Sequence, residues 1–213
     1  MRRAAPTAIV LLAFVAATAA FARDPGEVRT ARAQIYWQQS RAVGEPFDGR
    51  LVRGVQLPPE GKDWLTWDPI LDRSPNRGWR RWGTDYLLRV TFRVIRRYRS
   101  AHSLAPRVLI GDLSRRHGGD FGRRFGGIGH ASHQNGLDVD VFYPRRDRRE
   151  LPPRRPGQVD LRLAQGLVSA FVRAGAQYVF VGPSLPLRGP RSVVQPLVHH
   201  DDHMHVRLYN PDR

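Results

Sequence analysis

The stretch His130–Phe142, HASHQNGLDVDVF, contains two histidines followed by two aspartates. From Leu137 onward apolar and acidic residues alternate, and this period of two predicts a β-strand over residues 137–142. Asp138 and Asp140 then lie on one face of the strand, because side chains two residues apart point to the same side. Carboxylates that face inward from a strand need a cation or several hydrogen-bond donors to offset their desolvation.

A second polar cluster, HHDDHMH, occupies residues 199–205 and holds four of the eight histidines of the chain. The pattern predicts a strand over residues 203–208. His203 and His205 share one face of this strand, and the apolar Met204 lies on the other.

The two clusters can form one site if their strands are neighbours. His133, an aspartate of the first strand and a histidine of the second would then converge on one ion and leave a fourth position open for water, as in catalytic zinc sites. Nitrogen and oxygen ligands favour zinc, with manganese or iron as alternatives. Spacing alone leaves open which aspartate and which histidine bind.

The remaining elements define the fold class. Thr84 predicts the start of a helix over residues 85–99, and Asp160 caps a second helix that Gly175 terminates. Further strands are predicted at residues 51–57, 108–113 and 177–181, and a glycine-rich loop runs over residues 115–129. Because strands follow one another through loops as well as helices, the order predicts an α+β fold with a small antiparallel sheet flanked by helices.

The composition excludes several kinds of chemistry. The chain has 213 residues, a length typical of one domain, and no cysteine, which excludes disulfides, thiolate zinc sites, iron–sulfur clusters and a cysteine nucleophile. Its net charge is +16, carried almost entirely by arginine, since Lys62 is the one lysine. The charge predicts a polyanionic environment, but it does not distinguish nucleic acid from a cell-wall polymer or a membrane surface.

The N-terminal residues predict export from the cytoplasm. Arg2 and Arg3 precede an apolar run over residues 8–20, and Ala20-Phe21-Ala22 fits a cleavage site. We therefore expect a secretory signal peptide over residues 1–22 and a single domain over residues 23–213. An uncleaved membrane anchor is the alternative, although the apolar run is shorter than the ~20 residues of a spanning helix.

Four motifs together resemble one family, the penicillin-insensitive murein endopeptidases. They are GDLS at 111–114, GG at 118–119, HASHQNGLDVD at 130–140 and DDHMHVR at 201–207. The resemblance extends over roughly residues 40–208 and includes the wider group of D-Ala-D-Ala dipeptidases and the hedgehog signalling domain, whose fold it implies. It also implies a secreted or periplasmic zinc endopeptidase that hydrolyses the amide bond from D-alanine to a diamino acid in peptidoglycan cross-links.

The resemblance further implies a role for individual residues. Zinc would be held by His133, Asp140 and His205, with His130 as a possible additional ligand. His203 would assist the attacking water, with His200 near the site. The residues implied to orient these groups are Asp138, Asp202 and Ser132.

Two other function classes remain open on the sequence. A catalytically inactive wall-binding module would keep the fold and the basic surface. A metal-dependent phosphodiesterase acting on nucleic acid would also use histidine and aspartate clusters, but the glycine-rich loop is not a Walker motif. We expect peptidoglycan as the partner and no nucleic acid, with the basic charge attracting the protein to a wall or membrane surface.

Overall fold

A six-stranded mixed sheet forms the centre of the described chain. The computed structural model describes residues 34–122 and 130–212, so the predicted signal peptide and part of the glycine-rich loop lie outside the described residues. In chain order, the strands and helices are β1 Arg41–Glu45, β2 Asp48–Val52, β3 Val55–Gln56, β4 Trp64–Thr66, β5 Trp82–Gly83, α1 Asp85–Ala101, β6 Val108–Ile110, β7 Asp138–Phe142, α2 Leu161–Arg173, β8 Ala176–Val181, β9 Val194–Pro196 and β10 His203–Leu208. The large sheet has the order β4-β6-β7-β10-β8-β9, and β1-β2 and β3-β5 form two small antiparallel pairs.

The α+β class is confirmed, and the predicted antiparallel sheet is found in the four central strands, whereas the strand at each edge is parallel to its neighbour. The central strands β6, β7, β10 and β8 pair antiparallel, whereas β4 pairs parallel to β6 and β9 pairs parallel to β8. Parallel neighbours need a long crossover connection. The chain supplies one through α1 between β4 and β6, and another through the segment 182–193 between β8 and β9. Both edge strands have three residues, too few to show an alternating pattern.

Both predicted helices are confirmed with their caps. Thr84 Oγ1 accepts a hydrogen bond from the Leu87 amide at 3.0 Å, and Asp160 Oδ1 accepts one from the Leu163 amide at 3.0 Å. These bonds satisfy amides that the first turn of a helix leaves without a partner. Gly175, with φ +84°, follows the end of α2.

Two of the predicted strands are shorter than expected. The stretch 51–57 is divided between β2 and β3, since Arg53 has a positive φ of 51° and interrupts the extended chain. The stretch 108–113 ends as a strand at Ile110. Beyond it, Gly111 donates a backbone hydrogen bond to Asp140 and Ser114 pairs with Trp82, so the irregular segment stays fixed to its neighbours.

The hydrophobic core lies between the two helices and one face of the sheet. Val139 and Val141 of β7 and Met204 and Val206 of β10 are fully buried against α1 and α2. Each such side chain contributes about 1.5–3 kcal/mol by leaving water. The residues that alternate with them on β7 and β10 therefore face away from the helices. Within the described residues, no helix is long and apolar enough to cross a membrane.

Candidate metal centre

The pairing of β7 with β10 brings the two polar clusters together. In this antiparallel pair His205 lies opposite Asp140, Arg207 opposite Asp138, and His203 opposite Phe142. Directly opposed side chains are close enough to interact. The sheet face that points away from the helices thus presents carboxylates from one strand and histidines from the other.

His133 reaches this face from the turn before β7. Its backbone has a φ of 68°, a left-handed conformation that is uncommon outside glycine. Two contacts hold it there, since the His133 amide donates to Asp138 Oδ2 at 2.8 Å and the ring Nδ1 donates to the Leu113 carbonyl at 2.5 Å. This leaves Nε2, which is buried and has no hydrogen-bond partner among the described residues. Burial, the largest effect, lowers the pKa of His133, so Nε2 presents a lone pair at neutral pH.

Asp140 lies at the centre of the cluster. Its Oδ1 is 3.4 Å from His133 Nε2 and 3.1 Å from His205 Nδ1, and its Oδ2 is 3.8 Å from His130 Nε2. Burial raises the pKa of Asp140, but the neighbouring histidines outweigh this and hold it well below its usual range. The carboxylate is therefore ionised and available to a cation.

His205 lies between two carboxylates. Its Nε2 is 3.2 Å from Asp138 Oδ1, while its Nδ1 faces Asp140. Burial lowers the pKa of His205, but the charges and hydrogen bonds of Asp138 and Asp140 raise it overall to about 9. A metal ion bound at His205 would therefore have to displace a proton.

His130 takes part in a second buried network that the sequence analysis did not predict. Its Nε2 donates to Asp112 Oδ2 at 2.8 Å, and Arg80 makes two hydrogen bonds to the same carboxylate, one of them from Nε at 2.6 Å. Asn76 also donates to Asp112 at 2.9 Å. Although burial raises the pKa of Asp112, the Arg80 and His130 hydrogen bonds hold it at about 2.

The donor set fits a divalent cation. His130, His133 and Asp140 each offer a ligand atom, and these atoms lie within 4.8 Å of one another. His205 adjoins this group, with its ring centroid 4.7 Å from that of His133. The buried, unpartnered Nε2 of His133 is the kind of atom that a metal ion satisfies. Coordination through His130 Nε2 would replace its hydrogen bond to Asp112.

His203 and His200 lie at the edge of this cluster. His203 Nδ1 donates to Asp202 Oδ1 at 2.6 Å, and its ring centroid is 4.6 Å from that of His200. Burial lowers the pKa of His203, but Asp202 and Asp140 outweigh this, and the net shift is upward. His200 Nδ1 donates to the Val198 carbonyl at 2.8 Å, and burial is the main reason that the pKa of His200 falls to about 4.

The residues implied to orient the ligands have different surroundings. Asp138 is buried and accepts hydrogen bonds from the His133 amide and from Arg207 Nε, the latter at 2.8 Å. Asp202 contacts His203 directly. The Ser132 side chain makes no hydrogen bond with any described residue. Ser132 is next to His133 in the chain, but its hydroxyl does not orient the described ligands through a hydrogen bond.

Sequence reasoning missed the supports of this site for a clear reason. Arg80, Asn76 and Asp112 are completely or almost completely buried, yet they lie far from both clusters in the chain. Asp112 lies within the quoted motif at residues 111–114, but the sequence did not indicate which residues its carboxylate would contact. Arg80 lies among many other arginines and carried no sequence signal.

Comparisons with known proteins find relatives of this chain. A profile of the family described as penicillin-insensitive murein endopeptidase matches residues 42–163. The enzyme of that name from Salmonella heidelberg (strain SL476) is 35% identical over 130 residues, which is 49% of this chain and 46% of the relative. The enzyme of that name from Escherichia coli O1:K1 / APEC is 29% identical over 231 aligned positions, covering 96% of this chain and 78% of the relative. The Salmonella alignment thus spans less than half of that relative's length.

Proposed function

The chain belongs to the penicillin-insensitive murein endopeptidase family, and we propose that it is an exported zinc endopeptidase that cuts peptidoglycan cross-links. The bond in question is the amide from D-alanine to a diamino acid of the neighbouring stem peptide. The proposal includes zinc as the cofactor, a signal peptide over residues 1–22, and a periplasmic or secreted location.

One observation carries the proposal. His133, Asp140 and His205 come from a turn and two strands, and their side chains meet on the face of the β7–β10 pair that points away from the helices. An imidazole nitrogen that is buried without a hydrogen-bond partner, as His133 Nε2 is among the described residues, is costly, and a cation bound beside the Asp140 carboxylate would remove that cost. His130 is the additional ligand in this proposal, in exchange for its bond to Asp112.

The chemistry divides between the metal and the protein. A bound zinc ion would lower the pKa of a coordinated water to about 7 and polarise a carbonyl group. His203 accepts a proton and returns it to the leaving amine, because Asp202 fixes the proton on Nδ1 and leaves Nε2 as the acceptor. His200, neutral near pH 7, supplies a further hydrogen-bonding group beside His203.

Asp138 holds the geometry of the site. It accepts from the His133 amide and from Arg207, and it lies against His205. Such contacts to ligands fix ring orientation and affinity for the metal. A mechanism of this kind uses no acyl-enzyme, and the sequence has no G-x-S-x-G or S-x-x-K motif that would indicate a serine nucleophile.

Digestion of purified peptidoglycan tests the proposal. The protein is incubated with cross-linked murein with and without a chelator, and the fragments are identified by mass spectrometry. We expect cross-linked dimers to be converted to monomers, with loss of cutting in chelator and recovery on adding zinc. Binding without cutting would identify a wall-binding module, and inert murein with cleavage of DNA or RNA would identify a phosphodiesterase; either result would contradict the proposal.

A further inference from the structure

The outer surface of the two helices carries several arginines that have no acidic partner in the described part of the chain. Their side chains are exposed, and none forms an ion pair with a described residue; they are Arg93, Arg96 and Arg97 on α1 and Arg162 and Arg173 on α2. Asp85 is the one acid within the two helices, and it accepts hydrogen bonds from Ser40. The outer face of the two helices therefore carries an excess of positive charge.

A groove of about 350 Å³ lies between α1 and α2 on this surface, and four of the arginines line it: Arg93, Arg97, Arg162 and Arg173. Tyr98 also lines it, and its hydroxyl is buried without a hydrogen-bond partner among the described residues. Burial raises the pKa of Tyr98, so the hydroxyl remains a donor. Gly166 lets the helices approach, since a Cβ there would lie 2.9 Å from His102 Nε2. The groove thus brings guanidinium groups of both helices together beside a buried tyrosine.

The groove and the candidate metal centre lie on opposite sides of the sheet. Met204 and Val206 pack toward the helices, whereas His203 and His205 alternate with them and face the other way. A surface bound at the helices would leave the metal centre facing away from it.

We propose that the helical layer docks on an anionic phospholipid bilayer, with one lipid phosphate in the groove between α1 and α2. Guanidinium groups bind phosphate oxygens in a bidentate geometry, and clusters of arginine bind anionic membranes additively. This inference rests on the proposed function, because a membrane-docked enzyme would present its site to the murein beside that membrane. Single-stranded nucleic acid is the less favoured partner, since Tyr98 is the one tyrosine, phenylalanine or tryptophan among the described residues that line the groove, and its ring is buried and closed to a stacking base.

Vesicle sedimentation tests the docking surface. The full chain is mixed with vesicles of phosphatidylcholine alone or with phosphatidylglycerol, and the quadruple variant R93Q/R97Q/R162Q/R173Q is compared with the unchanged protein. A control variant, R41Q/R50Q/R73Q/R155Q, removes the same charge from exposed arginines outside the helices. Every protein carries the same N-terminal residues, so their contribution cancels.

We expect binding that requires phosphatidylglycerol, weakens with salt, and falls about tenfold or more in the helix variant. The control variant should lose much less. An equal loss of vesicle binding in the two variants would show that net charge alone causes the binding, and this would overturn the proposal. Absence of binding to the anionic vesicles would overturn it as well. Tighter binding to a single-stranded oligonucleotide, lost in the helix variant, would assign the surface to nucleic acid instead.

The murein digestion of the helix variant separates this inference from the proposed function. On soluble murein fragments the variant should cut as the unchanged protein does, because none of the four arginines belongs to the metal centre. Vesicle binding without murein cleavage would refute the proposed function alone, and murein cleavage without vesicle binding would refute the docking surface alone.

Discussion

His133 shows at the scale of one residue how the chain prepares a ligand. Its left-handed backbone costs on the order of 1 kcal/mol for a residue other than glycine. The contacts to Asp138 and to the Leu113 carbonyl offset that cost and leave Nε2 facing Asp140. The ring is therefore positioned and in the correct tautomer before any ion binds.

Substitution of His205 or His203 distinguishes a metal ligand from a proton carrier. We expect His205→Ala to lose bound zinc, because it removes one of the three proposed ligands, the one that lies 3.1 Å from Asp140. We expect His203→Ala to retain zinc but to lose about 10²–10⁴-fold in kcat/KM, the range for loss of a general acid–base group. Elemental analysis and murein digestion measure the two effects.

The two variants are each other's control, since both residues lie on β10 and face the same side. Full zinc occupancy in His205→Ala would contradict the ligand assignment. Zinc loss in His203→Ala with an unchanged fold by circular dichroism would place His203 among the ligands instead.

At the scale of elements, the start of α1 is joined to the entry into β7. Thr84 Oγ1 accepts from the Leu87 amide at 3.0 Å and donates to the Gly136 carbonyl at 3.2 Å, and the Thr84 amide donates to the same carbonyl at 3.0 Å. The helix cap thus also fixes the segment between His133 and the strand that carries Asp138 and Asp140.

Removal of this cap should lower the stability of the fold. We expect Thr84→Ala to decrease the free energy of unfolding by about 1–2 kcal/mol, because the Leu87 amide and the Gly136 carbonyl both lose a side-chain partner. Urea unfolding followed by circular dichroism measures it. Thr84→Ser keeps the hydroxyl and should lose less than half as much; an equal loss in both variants would show that the methyl group, and not the cap, matters.

At the scale of the whole molecule, buried carboxylates set how stability depends on pH. Asp68 is fully buried and accepts from the Ile70 and Leu71 amides at 2.9 and 3.0 Å and from Arg77 Nε at 2.5 Å. Burial raises the pKa of Asp68, but these partners outweigh it and the pKa falls below the usual 3.8. The stabilisation is therefore present above pH 3.8 and is lost as the pH falls through the lower, folded-state value.

Comparison of Asp68→Asn with the unchanged protein tests this dependence. We expect the variant to be less stable by about 1.5–3 kcal/mol near neutral pH, because Arg77 loses its charged partner. The difference should shrink as the pH falls below 3.8, measured by urea unfolding at a series of pH values. Asp72→Asn is the matched control, since the Asp72–Arg154 pair is exposed and should contribute little. A difference for Asp68→Asn that stays constant with pH would exclude the charged pair as its cause.

The sequence predicted those strands and helices that are long enough to show a periodic pattern of apolar and polar residues. β7 and β10 alternate over five and six residues, and α1 and α2 carry their caps in the sequence, so their positions follow from local chemistry. The three-residue strands β4 and β9 have no such pattern, and they join the sheet because parallel crossovers bring them to its edges.

For the site, the sequence determined the residue types and the faces on which they lie. Alternation placed Asp138 with Asp140 and His203 with His205 on single faces, since backbone geometry fixes that period. Tertiary structure alone decided the register that sets His205 opposite Asp140, and it alone brought Arg80 and Asp112 to His130. Those pairings join residues distant in the chain, and they depend on how hydrogen bonding and core packing align separate segments, which no local pattern encodes.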